Sequence, residues 1–361
     1  MSADIRLAPE ARPVFRVSAA AALAAALVWG AFGAHEAHAA AALTTSWLFF
    51  AGAVAGALAL SAILELTGAT WAQPFHAVVA RLSLYLPVAA GMLIVLAAFV
   101  PLARGLHGGA VLFFFAREVA CGLALFAFGK FSLRGDPGRS RPAWVLVVYC
   151  LLFAVVGSVW AFDFVVMPSP GLANTLAGPH LFVGAFVSGL AFVVIGALRA
   201  GTLDTRQRRD AAMLLVAFAV LWAYLVWSQL LTFWYGNLPD EVAFLTQRSA
   251  GGWSIVTLLV VATTLAVPFG LLLGSRGKRS ARVLGVAAAS QLFGLWLERQ
   301  LLVEPSVAGG FAVFTDLCGA FIQLGMAAVF VVSTWPWAER PVLGPARSPV
   351  ARSAAEGAGA T

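Results

Sequence analysis

Apolar runs separated by short polar breaks fill most of the chain. They cover residues 14–33, 46–67, 74–102, 110–133, 143–167, 176–199, 210–235, 253–275, 281–302 and 309–334. Each is about as long as the roughly 20 residues a helix needs to cross a bilayer. The pattern predicts an all-α polytopic membrane protein of about ten transmembrane helices. Residues 1–335 then form one transmembrane domain. Residues 336–361, rich in Pro, Gly, Ala and Ser, read as a disordered tail. The first run has a second reading, because Arg12 and Arg16 precede it and Ala37-His-Ala39 resembles a signal-peptidase site. Cleavage there would leave nine helices.

The polar breaks give the orientation. Lys130, Arg134, Arg139 and Arg141 follow the fourth run, Arg199, Arg206, Arg208 and Arg209 the sixth, and Arg276, Lys278, Arg279 and Arg282 the eighth. Arg6, Arg12, Arg16, Arg340, Arg347 and Arg352 at the termini join this set, while the intervening loops hold Arg104, Arg248 and Arg299. Cytoplasmic loops carry the excess of Lys and Arg, so the expectation is a multi-pass inner-membrane protein with both termini in the cytoplasm.

One break is chemically richer than the rest. Trp222-Ala-Tyr224 and Ser228-Gln229 put polar groups deep in an apolar run, where hydrocarbon offers no hydrogen-bond partner. Trp234 and Tyr235 suit the interfacial belt, Asn237-Leu-Pro239 breaks the helix, and Asp240 and Glu241 are placed to cap a short following helix that leads to Arg248 and Trp253. Topology puts this elbow on the periplasmic side.

Composition narrows the function classes. With 61% hydrophobic and 11% charged residues the chain is far from soluble-domain usage, and its net charge of +7 comes from loop residues that set topology, not from a nucleic-acid-binding face. Cys121, Cys150 and Cys318 lie singly in apolar runs, which predicts no disulfide and no metal or iron–sulfur site. His35, His38 and His107 fall in loops, so paired axial ligands for a transmembrane haem are not expected.

Charges inside the runs each ask for a partner or a function. Glu65, His76 and Arg81 lie toward the cytoplasmic side, and Arg117, Glu118, Asp163, His180 and Asp316 toward the periplasmic side. Asp163 is the natural partner for Arg117, Glu65 and Arg81 are near enough to the headgroups to snorkel, and His180 reads as a hydrogen-bonded structural histidine. The same groups also form two sets of proton-path candidates: Glu65, His76 and Arg81 at one face, Glu118, Asp163 and Asp316 at the other.

Several motifs are familiar in combination. Trp160-Ala-Phe-Asp163-Phe-Val-Val-Met167 with Pro170, Asn174-Thr-Leu-Ala-Gly178, Gly184-Ala-Phe-Val-Ser-Gly189, the Trp222–Trp253 stretch, and Val267-Pro268-Phe269 with Lys278-Arg279 resemble the F subunit of alternative complex III. That family of bacterial quinol:cytochrome c oxidoreductase subunits belongs to the polysulfide-reductase-type (NrfD-like) membrane anchors. The similarity covers roughly the second to ninth runs. It implies two four-helix bundles, from the second to fifth and the sixth to ninth helices, with the first and tenth peripheral. It also implies a paralogous quinol-binding membrane subunit, a periplasmic iron–sulfur protein, c-type cytochromes and lipid as partners, with haem c and iron–sulfur clusters held by those partners. Asp163, Gln229, Tyr235, Glu241 and Arg248 match the family's polar positions. With Arg117 and His180 they are the candidates for a periplasmic site or quinone contact. The chain departs from the family pattern at Pro168-Ser-Pro170-Gly-Leu-Ala-Asn174, at His180 and at Asp240.

The expected function is a non-haem membrane subunit of a quinol-oxidising respiratory complex, structural in role and able to extend to proton conduction or quinone binding. The alternative is a stand-alone secondary transporter whose broken segment at Asn237–Pro239 lines a substrate site.

Overall fold

The computed structural model describes residues 37–103, 107–133, 141–169, 171, 172, 174–236, 239–308 and 317–334. The expected first helix at 14–33, Arg104, Arg134, Arg139, Asn237, Asp316 and the tail 336–361 lie outside the described residues.

The first half of the chain forms helices α1 (Ala37–Leu66), α2 (Gln73–Leu82), α3 (Leu86–Ala103), α4 (Gly109–Ser132) and α5 (Ala143–Ala161, continuing through a π turn at Phe162–Val166). They are followed by α6 (Ala177–Arg199), α7 (Thr205–Gly236), α8 (Pro239–Ser249), α9 (Gly252–Val261), a π turn at Ala262–Ala266, α10 (Val267–Leu273), α11 (Ser275–Arg279), α12 (Ala281–Val307) and α13 (Leu317–Thr334). No strand occurs among the described residues. Seven helical segments there are long and apolar enough to cross a membrane: Ala37–Leu66, Thr70–Ala98, Gly109–Ser132, Ala143–Val166, Ala177–Arg199, Thr205–Gly236 and Gly252–Leu273. The chain is an all-α, multi-pass membrane protein.

The organising helix is α1. It packs on α6, α12, α13, α5 and α3, and nearly all of its side chains are buried. Its crossing with α6 brings main chains into contact. A Cβ at Gly189 would meet Ala53 O at 2.6 Å and Gly56 C at 2.7 Å, and one at Gly56 would lie 2.7 Å from Phe186 Cα. Small residues at a crossing let helix backbones approach closely, which suits a medium without a hydrophobic force between helices. Around this crossing the core is aromatic: Trp47 meets Trp160 edge-on at 4.7 Å, and its Nε1 donates to Ala89 O at 2.9 Å. Tyr149 reaches back to donate to Ala55 O at 3.0 Å.

The basic loops gather at one end. There Arg141 forms an ion pair with Glu65, donates from its main chain to Glu65 Oε1 at 2.7 Å, and donates from Nη1 to Ser132 O at 2.6 Å. Gln207 donates to Trp71 O at 2.9 Å and Arg208 to Arg279 O at 3.2 Å. Helix α8 lies at the other end, where Gln247 donates to Pro305 O at 2.7 Å.

Three placements differ from expectation. Arg299 is no loop residue: α12 continues to Val307 and encloses Arg299 at 1% exposure. The sequence misleads because Glu298-Arg299-Gln300 looks like a polar end to the run, whereas each of the three finds partners inside the protein. His38 is likewise in the first turn of α1 and not in a loop. Glu65 is bound to Arg141, so it does not snorkel.

Candidate functional site

The C-terminal half of α12 concentrates buried polar groups. Successive residues point about 100° apart, so Glu298, Arg299 and Gln300 can all be buried only if protein surrounds the helix at that depth. On the α1 and α13 side, Gln300 Oε1 accepts from Thr45 Oγ1 at 3.0 Å and Gln323 Nε2 at 3.2 Å. On the α6 side, Arg299 Nη2 donates to Leu181 O at 3.2 Å, with Gly184 leaving room for the guanidinium. Its Nη1 lies 3.4 Å from Glu298 Oε2. Toward α7, Glu298 Oε1 accepts from Trp222 Nε1 at 2.5 Å and is 2.7 Å from His180 Nε2. An ionised carboxylate only accepts, so in that state His180 carries its proton on Nε2. Glu298 and Arg299 neutralise each other.

Helices α7 and α12 run parallel in a seven-residue register. Gln291 Nε2 donates to Leu215 O at 3.1 Å, and Trp222 and Glu298 repeat the pairing seven residues later on each helix. One further repeat reaches Gln229 and Pro305. Gln229 Oε1 accepts from Asn174 Nδ2 at 2.7 Å, while Ser169 Oγ and Ser306 Oγ are 2.8 Å apart.

Arg248 closes this end. Pro305 has no N–H, so Leu301 O loses its helical donor. Arg248 Nε supplies the replacement at 2.8 Å, and Nη2 reaches Leu302 O at 2.8 Å and Ser306 Oγ at 2.7 Å. Its guanidinium also lies over the Phe244 ring. Burial lowers the Arg248 pKa to about 9, which keeps it cationic at neutral pH. Charge-assisted bonds contribute about 1.5–3 kcal/mol each. Arg248→Ala is therefore expected to speed amide exchange over residues 301–306 and in α8 while leaving α1 protected. Unchanged exchange there would show that the elbow is held by other contacts.

A second cluster lies between α4 and α5. Arg117 Nη2 donates to Asp163 Oδ2 at 2.6 Å, and Arg117 Nε is 3.8 Å from the buried Glu118. Asp163 sits in the π turn Phe162–Val166, a local insertion that re-aims side chains and is frequent at functional sites. The Arg117 side chain is 30% exposed and flanked by the exposed Phe113.

At the basic end a third group forms around Ser61, whose Oγ lies 2.7 Å from His76 Nδ1 and 3.4 Å from Arg141 Nη2. Arg81 is half-buried further along α2. The candidates thus divide by location. Glu65 and His76 meet at the basic end, Arg117, Glu118 and Asp163 meet between α4 and α5, and His180 joins α7 and α12. Gln229 and Arg248 belong to the layers beside α12, Tyr235 is exposed against Trp234, and Glu241 lies in the first turn of α8. Glu298, Arg299, Gln291 and Trp222 were not among the expected site residues. Three consecutive polar residues before Leu301, inside a run otherwise long enough to span, were the available signal.

No protein-family model and no curated protein matches the chain.

Proposed function

We propose that this chain is a non-haem membrane subunit of a bacterial respiratory quinol:cytochrome c oxidoreductase of the alternative complex III type, set in the inner membrane with both termini cytoplasmic. The observation that carries this reading is the presence of two enclosed acid–base pairs away from the basic loops. The Arg117–Asp163 pair and the His180–Glu298 pair both lie toward the end away from the basic loops. On this reading that end is periplasmic, where quinol oxidation releases protons. A carboxylate or imidazole held there can accept them. The motif resemblance supports the same complex, with a paralogous membrane subunit, an iron–sulfur protein and c-type cytochromes as partners.

Asp163→Asn is expected to slow quinol oxidation or proton movement in the assembled complex, because it keeps the shape but removes the charge that pairs with Arg117. Normal turnover and normal proton movement in a fully assembled variant would overturn a chemical role for Asp163. Purification in gentle detergent tests the partner assignment directly. Co-purifying c-type cytochromes and an iron–sulfur protein is the expected result. A lone homodimer would favour the stand-alone transporter instead.

A further inference from the structure

At the basic end, cations from three stretches of the chain meet at one corner. Helix α11 is a five-residue helix set between extended residues, Gly274 (φ −75°, ψ 149°) and Ser280 (φ −79°, ψ 121°), and it carries Arg276, Lys278 and Arg279. Gly277 lets it press onto the end of α10, because a Cβ there would clash with Leu271 O. Arg208, in the first turn of α7, donates from Nη1 to Arg279 O at 3.2 Å across 71 residues of sequence, and from Nε to Asp204 O at 3.2 Å. Ser280 Oγ accepts from Val283 N at 3.4 Å and so starts α12, whose first turn adds Arg282.

These cations have no counter-ion. None of them makes an ion pair among the described residues, and the side chains of Arg276, Lys278, Arg279 and Arg282 make no hydrogen bond there. Asp204 and Asp210 are the carboxylates on the same stretches. Asp204 Oδ1 accepts from Gln207 N at 2.8 Å, which caps α7, and Asp210 pairs with none of the cations. The other basic corner differs, since Arg141 is neutralised by Glu65. Topology asks only that cations stay on this side of the bilayer. It does not ask that residues far apart in sequence be gathered without a partner, at a cost in repulsion that grows as the surroundings become less polar. An anion at the corner removes that cost.

The corner is also amphiphilic. Arg209, Met213 and Val220 stand at i, i+4 and i+11 on α7 and share one face, on which Met213 and Val220 are 49% and 47% exposed. Leu273, the last residue of α10, is 61% exposed. We propose that Arg208, Arg276, Lys278, Arg279 and Arg282 hold the phosphate of an anionic phospholipid whose acyl chains lie against α7 and α10. Guanidinium groups bind phosphate oxygens bidentately, and basic pockets between transmembrane helices take such headgroups. A soluble phosphate compound makes no use of the apolar half of the corner. The site is independent of the quinol reading, because it is built from this chain's own basic end whatever complex the chain joins.

Native mass spectrometry of the purified full chain in neutral detergent tests this, with phosphatidylglycerol, phosphatidylcholine and inorganic phosphate as the probes. Phosphatidylglycerol is expected to bind about tenfold more tightly than phosphatidylcholine, and inorganic phosphate at the same concentration to leave it in place. Arg276→Gln/Lys278→Gln/Arg279→Gln should lose that preference. Arg340→Gln/Arg347→Gln/Arg352→Gln removes the same charge elsewhere and should keep it. Equal retention of the two lipids overturns the proposal, and so does a preference that survives in the α11 variant or is lost equally in both. Displacement by inorganic phosphate would show a site for the free anion and overturn the lipid assignment. Should the α11 variant fail to fold, Arg276→Gln/Arg282→Gln leaves the Arg208–Arg279 bond in place and should still weaken phosphatidylglycerol binding; unchanged binding there overturns the proposal as well.

Discussion

Replacing Glu298 with alanine is expected to destabilise the protein by about 3–5 kcal/mol, the cost of leaving a buried cation without its partner. Arg299 is 1% exposed and keeps only the Leu181 carbonyl once the carboxylate is gone. Trp222 Nε1 and His180 Nε2 lose their shared acceptor in the same step. Glu298→Ala/Arg299→Met should recover most of this loss, because it removes both charges and fills the space with a flexible apolar side chain. Thermal unfolding in detergent measures both variants. If the double variant is no more stable than the single one, the cost lies in lost packing or in the Trp222 and His180 bonds, and the charge argument fails.

The second large effect is steric. Gly189→Leu should prevent α1 and α6 from meeting, at a cost on the order of 3 kcal/mol or more, since overpacking against main-chain atoms cannot be relieved by changing a rotamer. The Cβ alone would lie within 2.6 Å of Ala53 O and 2.7 Å of Gly56 C. Gly52→Ala is a graded comparison, because its Cβ would meet only Ala185 Cβ, at 3.2 Å. Gly270→Ala is the control: nothing lies within 4 Å of the added atom, and the loss of glycine favours a helix by up to about 1 kcal/mol. The fraction of folded protein recovered in detergent should fall in the order Gly270→Ala, Gly52→Ala, Gly189→Leu. Equal recovery of all three would mean that the crossing is looser than its backbone contacts indicate.

Most of the helices were legible because bilayer thickness imposes a length, and runs such as 143–167 and 176–199 coincide with helices to within a residue or two. The Arg117–Asp163 pair was legible for a related reason: two opposite charges in adjacent apolar runs have few other ways to be neutralised. The α12 cluster was harder to see. Length and hydropathy end that run at the first polar residues, and they carry no information about whether neighbouring helices supply partners. Glu298 becomes an interior residue only through His180 and Trp222, which are more than 70 residues away along the chain. The π turns were also hidden, since no residue pattern in Phe162–Val166 or Ala262–Ala266 distinguishes them from ordinary helix.

The near-complete burial of α1 bears on how the protein is made. In the finished molecule α1 touches other helices on almost every side, so a sequence much less oily than lipid would serve it there. Its mean hydropathy of 2.1 is nonetheless close to the 2.4 of the α9–α10 segment, most of which is not buried. Helices enter the bilayer one after another and associate afterwards. During synthesis α1 precedes α6, α12 and α13, which later enclose it, and it must be stable in lipid until they arrive. Its composition is therefore a record of the insertion step, and polar substitutions on α1 that a folded-state calculation would tolerate should be lost at biogenesis.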